Sequence, residues 1–361
     1  MRFSSTLIPG TLARRYSGAS PDPANAGRTL PRVRYFQAWN EPNLPRYLEP
    51  QWIGQGGRWL PFAPQHYRAM LNSFFAAVKA VHADNVVVAA GLAPLGEGAD
   101  GLGRMTPMRF LNEMLCLGPP PSSIPTGCPD PPHFDVLAFH PLSIDNPDLP
   151  APSRLDVSIA DIAKIKTALQ AAGRSGILGP EGSKPLWVTE LNWQSKPPSP
   201  DGVPAQSQAH WIARAMHRLW AAGVKVVTWH FLVDRPVVLP NPVGGGTEVR
   251  RPAGLYHKGP DGPATNRPKP FLRGFRFPFD PLRTAAARVR VWAMLPPDGY
   301  NRARLERRSA RGWRTITRLR ARAGIVNALV ALRGRVTLRV RSAGEASASS
   351  TIGHRIFTPR G

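Results

Sequence analysis

Short apolar runs alternate along most of the chain with longer segments in which apolar residues recur at helical spacing. The short runs predict strands buried on both faces of a sheet, at residues 33–40, 86–91, 135–140, 186–191 and 225–232. The longer segments predict the end of a helix at 11–20 and helices at 64–82, 106–117, 157–172 and 206–222. This order is typical of a parallel sheet with crossover helices, so we expect an α/β domain over residues 1–280.

The pattern changes after residue 280, where apolar and polar residues alternate one by one. This alternation is seen at residues 288–293, 313–319 and 335–340, with short turns between them. A period of two predicts antiparallel strands with one buried face, and hence a small all-β, sandwich-like domain over residues 281–361. Its outward arginines either face anionic glycans or are simply solvated, and only Trp292 and Trp313 suggest an aromatic binding strip.

Two of the predicted buried strands end in a glutamate. Glu41 stands in the motif Trp39-Asn40-Glu41-Pro42-Asn43, and Glu190 follows Val188-Thr189. Glycoside hydrolysis needs two carboxyl groups, one to protonate the leaving oxygen and one to attack the anomeric carbon or activate water. The alternatives are an exposed turn at Glu41 and a salt-bridged strand end at Glu190.

These two motifs resemble the strand-4 and strand-7 signatures of retaining glycoside hydrolases of clan A, which are (β/α)8 TIM barrels. Family 5, the cellulase-like enzymes, and family 39 are the most similar groups. The resemblance implies that Glu41 is the acid/base, that Glu190 is the nucleophile and that Asn40 holds the sugar 2-hydroxyl. It also makes His140 a sugar or carboxylate contact and Trp229 the floor of a sugar subsite. Each of the last two could equally be a core residue.

The resemblance equates the five predicted strands with barrel strands 4–8. The residues before the first of them contain no strand–helix–strand pattern, so we expect a barrel domain that lacks its first three strands. The first hypothesis is therefore an O-glycosyl hydrolase that acts on a polysaccharide or oligosaccharide. The alternative is a catalytically impaired or non-catalytic carbohydrate-binding or cell-surface relic. No metal or organic cofactor is implied, and the sequence does not indicate an oligomeric state.

The chain of 361 residues carries a net charge of +24, and most of its basic residues are arginine. A basic surface of this strength can bind nucleic acid, anionic polymers or membrane. Codon bias in a GC-rich genome is the simpler explanation, because lysine is scarce and there are 41 prolines. We expect no specific nucleic-acid partner, since no helix-turn-helix, zinc-finger or RNP-like motif is present.

Cys116 and Cys128 bracket a proline-rich loop and are the two cysteines of the chain. We expect a disulfide between them, which is typical of an extracellular protein. Two thiols without a nearby histidine pair do not make a zinc site. Residues 1–10 have a single arginine and no long apolar segment, so they do not resemble a signal peptide, although full-length members of the family would be secreted. No apolar run approaches the length of a transmembrane segment.

Overall fold

The computed structural model describes residues 7–97, 103–141, 146–179, 182–197, 199–200, 202–234, 238–240, 247–249, 252–299 and 301–357. Its helices are α1 (Leu7–Arg15), α2 (Ala63–Lys79), α3 (Pro107–Met114), α4 (Ala163–Arg174), α5 (Ala205–Ala221) and α6 (Leu272–Arg276), with 3₁₀ turns at Pro263–Thr265 and Pro297–Gly299. No helix among these residues is long and apolar enough to cross a membrane.

The strands of the first half of the chain are β1 (Tyr35–Ala38), β2 (Trp52–Gln55), β3 (Arg58–Pro61), β4 (Val86–Leu92), β5 (Val136–Phe139), β6 (Leu186–Leu191), β7 (Ser195–Lys196), β8 (Val203–Pro204) and β9 (Val226–Trp229). Those that follow are β10 (Val238–Pro240), β11 (Thr247–Val249), β12 (Tyr256–His257), β13 (Arg267–Pro268), β14 (Phe279–Ala285), β15 (Arg288–Met294), β16 (Arg302–Ser309), β17 (Gly312–Arg320), β18 (Ile325–Ala331), β19 (Val336–Ser342), β20 (Glu345–Ala346) and β21 (Ser350–Ile352). The chain divides into two compact units. Unit 1 is Met1–Leu191 with Ala222–Thr228, and unit 2 is Asn192–Ala221 with Trp229–Gly361.

Unit 1 is built on a five-stranded sheet whose order is β1-β4-β5-β6-β9. The pairs β1–β4, β4–β5 and β5–β6 are parallel. All five strands lie where the apolar runs predict them, because each run is long enough to cross the sheet and too short for a helix. Four of the five strands are thus parallel neighbours, and the connections between them contain α2, α3 and α4.

Helix α2 covers one face of this sheet and fixes the ends of two strands. Tyr67 and Leu71 follow the predicted helical spacing and are 1% and 0% exposed. The Tyr67 hydroxyl donates to the carbonyl of Ala38 at 2.7 Å and accepts from the amide of Ala90 at 2.6 Å. Burial raises the pKa of Tyr67, so its hydroxyl keeps the proton that it donates. One side chain therefore ties the carboxyl ends of β1 and β4 together.

The sheet also carries a small apolar cluster on β4, β5 and β6. Val88, Val136 and Ala138 form its buried part, and Trp187 packs against them. The ring of Tyr35 lies 5.3 Å from that of Trp187, yet Tyr35 remains 52% exposed.

Two parts of unit 1 differ from the expectations. Residues 52–61, for which the apolar pattern predicts no helix or strand, form the antiparallel hairpin β2–β3, which turns at Gly56 and Gly57 with positive φ angles of 57° and 71°. Such φ angles favour glycine. The helix predicted at 157–172 begins later, at Ala163.

Cys116 and Cys128 form a disulfide with a Cα–Cα distance of 5.7 Å.

Unit 2 contains two antiparallel sheets, ordered β14-β15-β18 and β17-β16-β19-β20. They enclose one apolar core that includes Val291, Leu305, Val326 and Leu338. The alternation of apolar and polar residues predicts these strands well, because every second side chain enters the core.

Helix α5 belongs to unit 2, although the predicted domain boundary at residue 280 separates it from the β-strands. Arg214 and His217 of this helix bind Asp280 Oδ2 at 3.0 and 2.6 Å. The His217 ring also stacks on Trp292, with centroids 4.8 Å apart. These contacts explain why the structure divides inside the predicted barrel domain. Trp292 is fully buried and is therefore not part of an aromatic binding strip on the surface.

Candidate active site

The carboxyl ends of β1, β5 and β6 bring polar side chains together at one edge of the sheet. Glu41 follows β1, His140 follows β5 directly, and Thr189 and Glu190 lie in the last half of β6. In open α/β sheets and barrels this edge is where ligands bind. Glu41, His140 and Glu190, all predicted from the sequence, therefore lie in one cluster.

The backbone that carries Glu41 has an unusual conformation. Trp39 and Glu41 have positive φ angles of 75° and 43°, which side chains larger than hydrogen rarely adopt. The Glu41 amide donates to the carbonyl of Gly91 at 3.1 Å, and the Trp39 indole N–H donates to the carbonyl of Tyr47 at 2.9 Å. Strain of this kind persists where surrounding contacts enforce it, and it concentrates at functional sites.

Asn43, two residues after Glu41, is a buried structural residue. Its side-chain amide donates to the carbonyls of Ala93 and Met105 at 3.1 and 3.0 Å, and its side-chain oxygen accepts from the Ala93 amide at 2.9 Å. It therefore fixes the loop after Glu41 to the loop after β4. Asn40 is partly exposed beside this loop, and its contact with a sugar hydroxyl stays a prediction.

His140 connects the two glutamates. Its Nδ1 lies 3.1 Å from Glu41 Oε1 and 3.9 Å from Glu190 Oε2. Its Nε2 lies 3.0 Å from Thr189 Oγ1. The imidazole is fully buried, whereas the side chains of Glu41 and Glu190 are 12% and 25% exposed. The carboxylates are thus the accessible part of the cluster, and the histidine supports them from below the surface.

Gly91 provides the space for this histidine. A Cβ at position 91 would lie 2.8 Å from His140 Nε2 and 2.8 Å from Gln37 Nε2, closer than real contacts allow. Gly91 also has a φ of 79° and lies at an irregularity in the pairing of β4 with β5. A glycine within a strand often marks such a close approach. Here the absent side chain lets His140 lie against the sheet.

The two carboxylates are close enough to act on one bond. One oxygen of Glu41, one of Glu190 and one ring nitrogen of His140 all lie within 4.8 Å of one another. Retaining glycosidases place their carboxyl groups about 5–5.5 Å apart, and inverting enzymes about 6.5–9.5 Å apart. The nearest oxygens of Glu41 and Glu190 are thus closer together than the carboxyl groups of typical inverting enzymes. The same three atoms could also coordinate a divalent cation, which accepts carboxylate and imidazole ligands.

Trp229, the remaining candidate, ends β9 and belongs to unit 2. It is 7% exposed, and its indole N–H donates to the carbonyl of Ala253 at 2.8 Å. The rings of Trp193 and Phe271 lie 6.0 and 5.8 Å from its own. These contacts are those of a core residue, and they favour the packing role over a sugar-stacking role.

Thr189 and Gly91 were not among the sequence candidates. Thr189 directly precedes Glu190, and a hydroxyl next to a strand-end glutamate is a weak signal that could have been noticed. Gly91 ends an apolar run, and glycine there also ends many ordinary strands. Their roles depend on the register between β4, β5 and β6, which the sequence does not specify.

No family model and no curated protein matches the chain. It is similar in fold to a solved family 39 glycoside hydrolase from Bacteroides cellulosilyticus WH2, with 16% identity and a TM-score of 0.48. That similarity covers 92% of this chain and 61% of the enzyme, so the chain spans about three fifths of its length.

Two other similar structures are also glycosidases. A family 39 β-xylosidase from Caulobacter crescentus has 14% identity and a TM-score of 0.42, with 91% of this chain and 71% of that enzyme covered. A family 51 α-L-arabinofuranosidase from Bifidobacterium longum has 10% identity and a TM-score of 0.46, with 90% and 72% covered. At these identities the similarities do not identify a substrate for this chain.

Proposed function

We propose that this protein is a glycoside hydrolase that cleaves O-glycosyl bonds with retention of anomeric configuration. The observation that carries the proposal is the pair Glu41 and Glu190, with oxygens within 4.8 Å of each other at the carboxyl edge of a parallel sheet. Carboxylates at this spacing suit attack on a sugar from one side and protonation of the leaving oxygen from the other.

The reaction has two steps. The Glu190 carboxylate attacks the anomeric carbon while Glu41 gives its proton to the glycosidic oxygen, so that the C–O bond breaks and the leaving sugar departs. Glu41 then removes a proton from water, the hydroxide attacks the anomeric carbon, and Glu190 is released as a carboxylate. Two inversions give net retention. No cofactor takes part in either step.

His140 orients both carboxylates in this scheme. Its Nδ1 is within hydrogen-bonding distance of Glu41 Oε1, and because the ring is buried it restricts the position of the Glu41 carboxylate. Preorganisation of the reacting groups contributes a large share of enzymatic rate acceleration. Asn40 is our candidate for the residue that binds the sugar 2-hydroxyl. The proposed substrate is a polysaccharide or oligosaccharide, as for the enzymes of families 5 and 39.

The proposal is tested with Glu41→Gln and Glu190→Gln on a panel of aryl glycosides. We expect each to lower kcat/KM by about 10³-fold or more, within the range attributed to acid/base and nucleophilic catalysis. The loss in Glu41→Gln should shrink for an activated dinitrophenyl leaving group, which needs no proton, whereas the loss in Glu190→Gln should not. Glu345→Gln, the same change at an exposed glutamate of unit 2, is the control.

The stereochemistry gives an independent test. NMR of the first-formed product from wild-type protein should show the anomer of the substrate. Inversion, or full activity in Glu41→Gln and Glu190→Gln, would contradict the proposal.

A second candidate function is carbohydrate binding without turnover. Tyr35, Trp39 and Trp59 of unit 1 are 52%, 48% and 45% exposed, and exposed aromatic rings suit stacking on sugar faces. Saturation-transfer NMR with oligosaccharides separates the two candidates. Binding with no detectable turnover in wild-type protein would favour this second function, and turnover that depends on Glu190 would exclude it.

We further propose that the protein works outside the reducing cytosol. The Cys116–Cys128 disulfide supports this location, because structural disulfides persist in oxidising compartments. Alkylation of protein taken from its native host, followed by mass spectrometry, should find both thiols protected.

A further inference from the structure

One sheet of unit 2 has an outer surface dominated by arginine. Ala303, Leu305, Leu338 and Val340 point into the core from β16 and β19, so their neighbours point outward. The outward arginines of β16, β17 and β19, which we call the arginine face, are Arg302, Arg304, Arg308, Arg318, Arg320, Arg339 and Arg341. Glu306 is the acidic side chain on the same face of these strands.

The strand register places these arginines directly opposite one another. Arg304 of β16 lies opposite Arg318 of β17 on one side and Arg341 of β19 on the other, which makes a row of three. Arg302 lies opposite Arg320 in the next row. Directly opposed residues have Cβ atoms about 4.5–5.5 Å apart, and like charges at that distance destabilise a sheet.

The charge of these rows is not neutralised within the described part of the chain. None of the five arginines in the two rows forms an ion pair with an acidic side chain there, and all five are exposed. Glu306 pairs instead with Arg339 at 2.7 Å. The rows therefore present guanidinium donors to the solvent.

The end of the face next to these rows is more firmly held. The guanidinium carbons of Arg308 and Arg339 lie 5.4 and 4.3 Å from the centre of the Trp313 ring. Cation–π contacts of this kind restrict both arginines and occupy part of the indole surface, which is partly exposed. Arg308 and Arg339 are therefore held in place, whereas the guanidinium groups of the two rows are exposed to the solvent and spaced by the strand register.

We propose that the arginine face binds an acidic polysaccharide, a chain of sugars with carboxylate or sulfate groups. A guanidinium group binds either oxyanion through two parallel hydrogen bonds, and rows of them match a polymer whose charge repeats. Proteins that bind single-stranded nucleic acids combine a basic groove with exposed aromatic rings on which the bases stack, whereas the Trp313 ring is in contact with two guanidinium groups. The preference for a polysaccharide over a nucleic acid also rests on the proposed glycosidase function.

The test compares two triple variants that remove equal charge. Arg304→Gln, Arg318→Gln and Arg341→Gln together remove the row of three. Arg288→Gln, Arg322→Gln and Arg333→Gln together are the control, because these arginines are exposed but lie outside the arginine face. Binding to polygalacturonate, dextran sulfate, neutral dextran and duplex DNA is measured by calorimetry at about 0.15 M salt, where long-range charge effects are largely screened.

We expect wild-type protein to bind polygalacturonate or dextran sulfate and not dextran, with the acidic polymer that binds more tightly showing which group is recognised. The row variant, which lacks Arg304, Arg318 and Arg341, should bind that polymer about tenfold more weakly than wild type, and the control variant should bind it about as well as wild type. Equal loss in both variants, tighter binding to DNA than to either acidic polysaccharide, or no binding at all would overturn the proposal. Activity of the row variant on aryl glycosides should stay unchanged, so failure here is distinguishable from failure of the proposed hydrolase.

Discussion

At the scale of single residues, the candidate site depends on a histidine that has no room to move. His140 is fully buried, both of its ring nitrogens face polar atoms, and Gly91 lies directly against its ring. A small change on any of these sides is therefore transmitted to Glu41. Misplacement of a catalytic group by about 1 Å can cost about 10²-fold in rate.

The first prediction concerns Gly91→Ala. The added Cβ would lie 2.8 Å from His140 Nε2, so the imidazole and with it Glu41 must shift. We expect kcat on an aryl glycoside to fall by about 10²-fold while the protein still folds. The measurement is steady-state kinetics together with a thermal unfolding curve.

Gly176→Ala is the matched control for this change. Gly176 has the same φ of 79°, but a Cβ there meets nothing within 4 Å. Both variants carry the backbone strain of alanine at positive φ, and Gly91→Ala alone carries the clash. Equal activity in the two variants would show that His140 tolerates displacement.

The second prediction concerns Thr189, which we regard as a positioning residue that acts through His140. Thr189→Val keeps the shape and removes the hydroxyl that lies 3.0 Å from His140 Nε2. Loss of one hydrogen bond to a buried group costs about 1–3 kcal/mol, so we expect kcat to fall about tenfold or more at unchanged KM. Thr189→Ser should restore kcat, and a variant that changes KM alone would place Thr189 at the substrate instead.

The sequence predicts the residues whose chemistry is unusual for their position and misses those whose role is geometric. Glu41, Glu190 and His140 stand at the ends of apolar runs, where packing gives little reason for a polar side chain. Thr189, Gly91 and Asn43 are ordinary residues for a strand end or loop. Their roles appear only once the register brings the strands side by side.

At the scale of elements, α2 and the sheet are joined by Tyr67. Tyr67→Phe would leave the Ala38 carbonyl and the Ala90 amide without the partner that each has now. Buried backbone groups left unsatisfied cost about 1–3 kcal/mol, so we expect a lower free energy of unfolding by that amount. Activity should also fall, because Ala38 ends the strand that leads to Glu41.

Chemical denaturation of wild type, Tyr67→Phe and Tyr35→Phe measures this effect. Tyr35 is 52% exposed, so loss of its hydroxyl should change the free energy of unfolding little. If Tyr67→Phe were as stable as Tyr35→Phe, solvent or another group would be satisfying the backbone at the ends of β1 and β4.

Elements were predictable where one periodicity persists over the whole segment. The strands of the five-stranded sheet and α2 each keep one periodicity, and they lie within a few residues of their predicted bounds. The hairpin β2–β3 was missed because its residues are mostly exposed, so that no alternation marks its faces. Helix α5 was predicted correctly as a helix, but its contacts with Asp280 and Trp292 depend on tertiary packing.

At the scale of the whole molecule, the net charge of +24 opposes folding. Like charges repel more strongly in a compact chain than in an unfolded one, and rows such as Arg318-Arg304-Arg341 bring them within one sheet. Exposed ion pairs such as Arg104–Glu97 at 2.8 Å act in the other direction. Exposed pairs of this kind contribute only about 0–1 kcal/mol each, so repulsion should dominate the response to salt.

We therefore predict that salt stabilises this protein. Raising NaCl from about 0.01 M to about 1 M shortens the screening length from about 30 Å to about 3 Å, which weakens the repulsion among exposed arginines. The midpoint of thermal unfolding should rise with salt, and it should rise less in the variant that removes Arg304, Arg318 and Arg341. A midpoint that falls with salt would mean that attractive pairs outweigh the excess of positive charge. A slope equal in both proteins would mean that the repulsion is spread over the chain rather than concentrated on the arginine face.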